Sequence, residues 1–595
     1  KEDSMKKIIY ILACSCLLGL NACQDSFLNL DPLDSKTDAV YFKTPEHFRE
    51  YANGLYSQLI GWRSSILDHM DIQSDLITNP SNQWNIGHGT INVGYDDSRW
   101  TSLYGNIRAD NMLLEKAATY AGDQSTLTQY IGEAYFFRAY NYFYMLQYFG
   151  GVPILTKSLD TESPELYYPR NSRYEVVDLI LSDLQQAIDK LPIEQNIASS
   201  DKGHISKQGA KAFKARVLLY EATWRKNVGT KADFEGSAGP ASDQVNAFLE
   251  ECITLSEEVM KDQAYSLWNY NSDTRMNNMS NRYLFCIEDA ESNPGGYGRE
   301  TNKEFIVYSV FDRDAAPGKF QLNLNMAYVY PSRKLMDMFL CKNGLPVCEN
   351  NEQFGGYHTP TAEYKNRDYR MEAYVGKSAD NMTLNGTSGY GNMKFITYKP
   401  AQEREESANY SILRLAEVYL NYAEAVMTRY NKIEDTQLDA SVNNLRRRAN
   451  VASLTNALVD QIITLTGSTK SHEEVMMDEI RRERAVELYM EGFRFDDLKR
   501  WGTLEKELNQ PRCGRVLGGV GYATTFRDAN GNNLSTYNSS AYVNGELKIE
   551  TGHGELSCVL LSKKSDSSLS SRHYLYPIPQ HQINLNPNLK QNPGY

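Results

Sequence analysis

The strongest constraint on this fold is a series of long segments with helical periodicity that come in pairs. Trp100 to Thr119 and Gln129 to Phe149 form one pair, and Arg173 to Leu191 and Ser206 to Trp224 a second. Asp243 to Lys261 follows, and Ser411 to Thr428, Gln437 to Ala449 and Glu473 to Glu491 close the series. Apolar residues recur in them at three- and four-residue steps, the spacing of one helix face. Thr44-Pro45-Glu46 starts an earlier helix running to about Ile60, with Thr44 as N-cap and Pro45 at the first position, and Ser206 reads as another N-cap. Ala139, Ala215 and Ala423 stand where a small side chain lets two helices approach closely. The helix to Phe149 carries Tyr135, Phe136, Phe137, Tyr140, Tyr142, Phe143, Tyr144 and Tyr148. Aromatics on several faces of one helix mean burial on several sides, so this helix is read as core rather than as a ligand platform.

Between and after the helices the pattern changes. Asp71 to Asp97 is rich in Asn, Gly, Ser and Thr and has no clear period. Long loops in compact proteins commonly carry function. From Tyr265 to about Ser407 the chain is rich in Asn, Gly and Tyr, with short apolar stretches such as Phe305 to Val310. The resulting division is a leader over 1–22, a tether over 23–40, a helical part over 41–264 with its loop at 71–97, a loop-rich mixed insertion over 265–407, helical repeats over 408–501 and an irregular segment over 502–595.

The leader is a signal peptide by its parts. Met5 is followed by Lys6 and Lys7, then by an apolar run from Ile8 to Leu20 that is too short to span a bilayer. It ends in Leu20-Asn21-Ala22-Cys23, which resembles the bacterial lipoprotein box, with Cys23 as the lipid attachment site and Lys1 to Ser4 upstream of the start. No later run is long enough to cross a membrane, so the body is read as held by lipid alone. The net charge of -13 argues against a nucleic-acid partner. Six cysteines remain beyond Cys23, with no Cys-x-x-Cys among them. Cys341 and Cys348 flank the turn sequence Asn343-Gly344-Leu345-Pro346, where either a local disulfide or free thiols fit. No metal or cofactor is expected: the nine histidines do not cluster. Asp528, Asn530 and Asn532 read as a surface turn, because the distal Glu of a calcium loop is missing. No Gly-x-Ser-x-Gly, His-Glu-x-x-His or phosphate loop occurs.

Five stretches carry a resemblance. They are Asp25 to Asn29 with Asp31-Pro32; Glu133 to Tyr140 running into Tyr148-Phe149-Gly150-Gly151-Val152-Pro153; Leu413 to Ala425; Ile480 to Arg484 continuing through Glu491-Gly492-Phe493-Arg494 to Trp501; and Tyr576-Pro577-Ile578-Pro579 with Asn592-Pro593-Gly594-Tyr595. In this order they resemble the SusD/RagB family of Bacteroidetes outer-membrane lipoproteins. Arg367-Asp368-Tyr369-Arg370 is similar to the family's Asp-Pro-Arg turn, with Tyr in place of Pro. The helix pairs likewise resemble tetratricopeptide repeats, each unit burying its apolar face by stacking on its neighbours. The resemblance implies a mostly α fold of such units with a loop-rich second part. It also implies capture of an oligosaccharide at the cell surface, no catalysis, and a SusC-like TonB-dependent transporter as partner. The charges of the helix to Glu491 read as ion pairs that lock the last repeat in place.

Sugar recognition needs a flat aromatic face and polar groups for the hydroxyls. The 71–97 loop offers Asp75, Asn82, Trp84 and Asn85, with Trp84 expected to stack on the ligand. Tyr297, Arg299, Phe320 and Tyr328 are the candidates from the insertion. Trp100, at a helix start, reads as core. Two rival functions stand beside this one. A RagB-like member would bind peptide in a deeper cavity with fewer stacked aromatics. A surface glycoside hydrolase would need two carboxylates about 5 to 9 Å apart in a cleft, and no local pattern singles out such a pair.

Overall fold

The paired periodic segments fold as helices that each pack on the next. The computed structural model describes residues 41–62, 70–78, 85–319, 326, 329–348, 350–357, 360–376, 388–398, 406–519, 549–551 and 554–595. Its longer helices are α1 (Pro45–Leu55), α2 (Ser98–Ala118), α3 (Thr128–Phe149), α4 (Arg173–Lys190), α5 (Lys207–Asn227) and α6 (Val245–Met260) in the first part. α7 (Leu415–Tyr430), α8 (Val442–Arg448), α9 (Asn456–Thr466), α10 (His472–Glu487) and α11 (Arg494–Arg500) follow in the second. α2 packs on α3, α3 on α4, α4 on α5 and α5 on α6. α6 then packs on α7, across the stretch of chain between them, and α7 on α10. The helical stack therefore continues through space where the sequence is interrupted. α3 is buried on several sides: Phe136, Phe137, Tyr140, Tyr142 and Phe143 are all inaccessible. Trp100 is buried against Tyr104 and Phe149.

Caps explain several starts. Ser206 accepts from Gly209 N at 3.1 Å, and Ser172 with Glu175 and Ser471 with Glu474 form reciprocal capping boxes. Thr44 differs from expectation, since its side chain makes no cap bond, and α1 ends at Leu55 in a tighter turn rather than at Ile60. Tyr410–Arg414 is a strand leading into α7, where the periodicity predicts helix. The segment 437–449 is broken at Ser441, whose hydroxyl donates to Gln437 O at 2.6 Å and competes with the helix ladder. α9 is an added helix, its run of Ile, Leu and Thr being ambiguous between helix and strand until Thr455 caps it. The helix from 473 stops at Glu487 because Met490 adopts φ 61° and Gly492 φ 84°. Beyond 502 the chain is less irregular than expected: Gly554–Ser562 pairs antiparallel with both Arg512–Gly519 and Ile549–Thr551. Of the two readings for Cys341 and Cys348, the structure has free thiols.

The Arg/Glu-rich motifs meet in a buried ion network. Strand Phe305–Ser309 pairs with Tyr410–Arg414, and the register puts Phe305 opposite Arg414, so Glu304 arrives beside that guanidinium. Arg414 bonds Glu304, Glu487 and Glu491 at 2.7–2.8 Å. Arg448 bonds Glu304 and Glu487 at 2.6 Å, and Arg370 bonds Asp368, Glu483 and Glu487 at 2.6–2.8 Å. Burial alone would raise the Glu487 carboxyl, but Arg448, Arg414 and Arg370 together hold it far below the ordinary range. Removing one member of such a network leaves an unpaired buried charge, a cost of about 3–5 kcal/mol. A second staple joins the ends of the chain. Arg170 donates to Phe149 O, Gly151 O, Lys590 O and Asn592 Oδ1, and Asn592 Nδ2 donates to Tyr576 O. A Cβ on Gly151 would lie 2.2 Å from Asn171 O, so glycine is required there.

Candidate functional site

The early loop and the insertion come together through backbone bonds. Ile77 pairs with Pro331 and Thr78 with Tyr330. Ser332 N donates to Leu76 O and Ser332 Oγ to Asp75 O. On the other side Lys319 N donates to Trp62 O at 3.0 Å and Gly318 N to Glu406 O at 2.7 Å. The loop is also tied to the end of α10: Asp71 accepts from Met490 N at 2.6 Å and Arg494 N at 2.9 Å. Burial pushes the Asp71 carboxyl up to about 7, the two N–H donors opposing it. Within the 71–97 stretch Asp71–Gln73, Ile77–Thr78 and Ile86–His88 are short regular turns and strands, so its described part is a built element rather than a free loop.

A cleft of about 820 Å³ lies between residues 53–62, residues 200–204 and residues 308–319 of the insertion. Tyr56, Trp62, Tyr308 and Phe311 give it aromatic walls, and Asn53, Ser57, Asp201, Lys202 and His204 line its polar side. Trp62 is inaccessible, its indole N–H donating to Ala408 O at 2.9 Å, so it serves as floor. Tyr308 is the half-buried member of an otherwise buried strand and presents ring surface to the cleft. The Tyr56 hydroxyl accepts from Ile205 N at 2.8 Å, which holds its ring 4.7 Å from that of His204. His204 Nδ1 lies 2.8 Å from Oε1 of the fully buried Glu133. Burial lowers the imidazole's proton affinity, but the hydrogen bond and charge of Glu133 outweigh it, so the net shift is upward. Aromatic faces beside hydroxyl, amide and charged groups suit a polyhydroxylated ligand with an apolar face. Among the described residues no group of three or more His, Cys, Asp and Glu side chains is placed to hold a metal ion.

The residues singled out from the sequence fare differently. Asp75 is buried, and its oxygens are taken by Arg494 at 2.9–3.0 Å and Lys334 at 2.5 Å. That corrects the picture of Asp75 as a free acceptor for hydroxyls. Arg299 is also corrected. Its guanidinium donates to the carbonyls of Glu288, Phe311 and Ser407 and ties three segments together, which leaves it a structural staple. Tyr297 stacks on Tyr270 with centroids 3.7 Å apart and donates to Asp273, so one ring face is covered. Asn85 is half-buried, and among the described residues its Oδ1 has no hydrogen-bond partner. Asn82, Trp84, Phe320, Tyr328 and Cys23 lie outside the described residues, as does the 528–532 turn. Thr78 and Tyr330, the paired residues nearest Trp84 and Tyr328 on their two segments, stand opposite each other. Tyr56, Tyr308 and Phe311 are cleft residues that sequence reasoning missed. The only signal was a strand-like run broken by Asp312-Arg313-Asp314.

Two family models match this chain. Residues 266–595, more than half of it, match the model described as the SusD family. The chain belongs to the SusD family. Residues 26–219 match a second model, described as starch-binding associating with outer membrane. A SusD-like protein P38 of Formosa agariphila is 26% identical over 499 residues, covering 81% of this chain and 88% of that protein. A SusD-like protein of Bacteroides ovatus is 25% identical over 511 residues, covering 84% and 83%. Among solved structures, a SusD-like protein from Bacteroides fragilis superposes with TM-score 0.68 at 22% identity over 95% of this chain and all of its own. A SusD-like carbohydrate-binding protein from the same species gives 0.67 at 20%, covering 92% and 99%. A laminarin-binding SusD-like protein gives 0.55 at 17%, covering 92% and 99%. At these identities the structures establish the shared SusD fold.

Proposed function

We propose that this chain captures an oligosaccharide at the cell surface and delivers it to a SusC-like TonB-dependent transporter of the outer membrane, without catalysing any reaction. Membership of the SusD family supports the binding role, and the second family model's description supports the outer-membrane setting. The observation that carries the ligand class is the cleft, with aromatic walls and polar lining, between residues 53–62, residues 200–204 and residues 308–319 of the insertion. Similar folds named for carbohydrate and laminarin point the same way. Trp84, with Asn82 and Asn85 near it in sequence, is the proposed stacking platform, joined by Phe320 and Tyr328 from the insertion. Cys23 is the proposed lipid attachment that holds the protein to the membrane.

Titration calorimetry of the purified protein against a panel of oligosaccharides and peptides tests this reading. One or more saccharides should bind and be recovered intact after hours of incubation. Binding of peptides alone would move the protein to the peptide-binding branch. Cleaved product in stoichiometric excess that survives repurification of the protein would make it a hydrolase.

A further inference from the structure

A second cavity, of about 500 Å³, shares no lining residue with the aromatic cleft. Asp75, Arg333, Lys334, Asp337, Arg482, Glu507 and Arg512 supply its charged wall. The three carboxylates are already engaged. Asp75 is held by Arg494 and Lys334, Glu507 by Lys334, and Asp337 by Arg333 and the Tyr357 hydroxyl. Two of the cations are not matched in the same way. Arg512 is buried, and no carboxylate bonds it. It donates to Gly87 O at 2.7 Å and lies 3.5 Å from His88 Nδ1. Burial and Arg512 push His88 down to about 4, so at neutral pH the imidazole brings no charge of its own. Burial likewise pulls Arg512 down to about 10, the charge of Asp75 opposing it only in part. Arg482 gives only its Nε–H to Glu479, at 3.0 Å, and Glu479 also serves Arg446. Among the described residues, Arg512 Nε and both terminal nitrogens of Arg482 have no acceptor.

We infer that this cavity is a binding site for an oxyanion, a carboxylate or sulfate group, received by the guanidinium groups of Arg482 and Arg512. A guanidinium presents a planar fork of donors that matches such a group, and a desolvated one gains most from it. Met338, Pro511 and Cys513 complete the wall, so a group carried on a larger molecule finds apolar contact around the charge. The inference does not depend on the identity of any ligand of the aromatic cleft.

The test is titration calorimetry at constant ionic strength with sodium sulfate and with sodium glucuronate, chloride serving as background. Both anions should bind the wild-type protein with one site and compete with each other, and the tighter of the two shows whether sulfate or carboxylate is the better fit. R482Q should weaken both by about tenfold or more, the loss of charge-assisted hydrogen bonds. K319Q, at the aromatic cleft, should leave them unchanged. Arg482 is partly exposed and has one ion pair, so its variant keeps the fold, and a cooperative melt checks this. R512Q, at the buried position, is read only where it also melts cooperatively, and should then abolish binding. Absence of binding to the wild type, or full affinity in R482Q, would overturn the proposal.

Discussion

At the scale of single residues, most of the buried charge is paired with opposite charge, Arg170 and Arg512 being exceptions held by neutral acceptors. Glu424 shows how the pairing is made. It is inaccessible and accepts from Arg500 at 2.6–2.7 Å and from the Trp501 indole at 2.6 Å. Burial would raise its carboxyl, but the charge and hydrogen bonds of Arg500 bring it down to about 2, against an ordinary 4.5. A folded value below the unfolded one means stability that is present above pH 4.5 and lost as the pH falls toward 2. Glu424→Gln should therefore cost about 3 kcal/mol at pH 7, the low end for breaking a buried pair, because Arg500 loses its bidentate carboxylate but keeps Asp497 at 2.8 Å. The gap between variant and wild type should narrow as the pH is lowered from 4.5 toward 2. Urea unfolding at stepped pH measures it, and a gap that stays constant would show that the pairing is not the source. Residues of this kind were legible in the sequence as ion-pairing helices, since Glu483 and Glu487 lie one turn apart, as do Arg484 and Leu488, so charges and apolar residues share faces. The destination of Asp75 was not, because its partner Arg494 lies 419 positions away and no local pattern links them.

At the scale of elements, caps and pairing decide where helices begin and end. Ser206 carries the start of α5, whose Ala210, Ala212 and Phe213 are fully buried. Ser206→Ala should lower stability by about 1 kcal/mol, the usual worth of an N-cap bond, read from the shift in the denaturant midpoint. A loss several times larger would mean that Ser206 acts chiefly through its buried contact with the Tyr265 hydroxyl at 3.1 Å. Helix existence was readable from periodicity nearly throughout, from α2 to α7. Boundaries were not where long-range contacts set them: Tyr410–Arg414 is a strand because Phe305–Ser309 pairs with it, and α10 stops at the left-handed Met490 that Asp71 holds. The aromatic cleft was half legible. The apolar stretch from Phe305 to Val310 was recognisable in the insertion, but its meeting with Tyr56, Trp62 and residues 200–204 is long-range and spacing does not reveal it.

At the scale of the whole molecule, the helical stack carries a junction where early loop, insertion and C-terminal segment are bonded to one another. The proposed anchor is tested by Cys23→Ala, which should move the protein out of the membrane fraction and abolish labelling by a fatty-acid probe. Retention with labelling would sink the lipid claim. The central claim is saccharide capture at the junction of early loop and insertion, and one comparison tests it most directly: calorimetric binding and thermal melting of Trp84→Ala beside Trp100→Ala, with the best saccharide of the panel. Loss of a central aromatic anchor typically costs about 2 kcal/mol or more, about thirtyfold in affinity. The account predicts that Trp84→Ala loses binding at that scale while its melting temperature holds. Trp100→Ala should instead melt markedly lower, since truncating a buried Trp costs about 3–5 kcal/mol. Wild-type affinity in a well-folded Trp84→Ala protein would contradict the account.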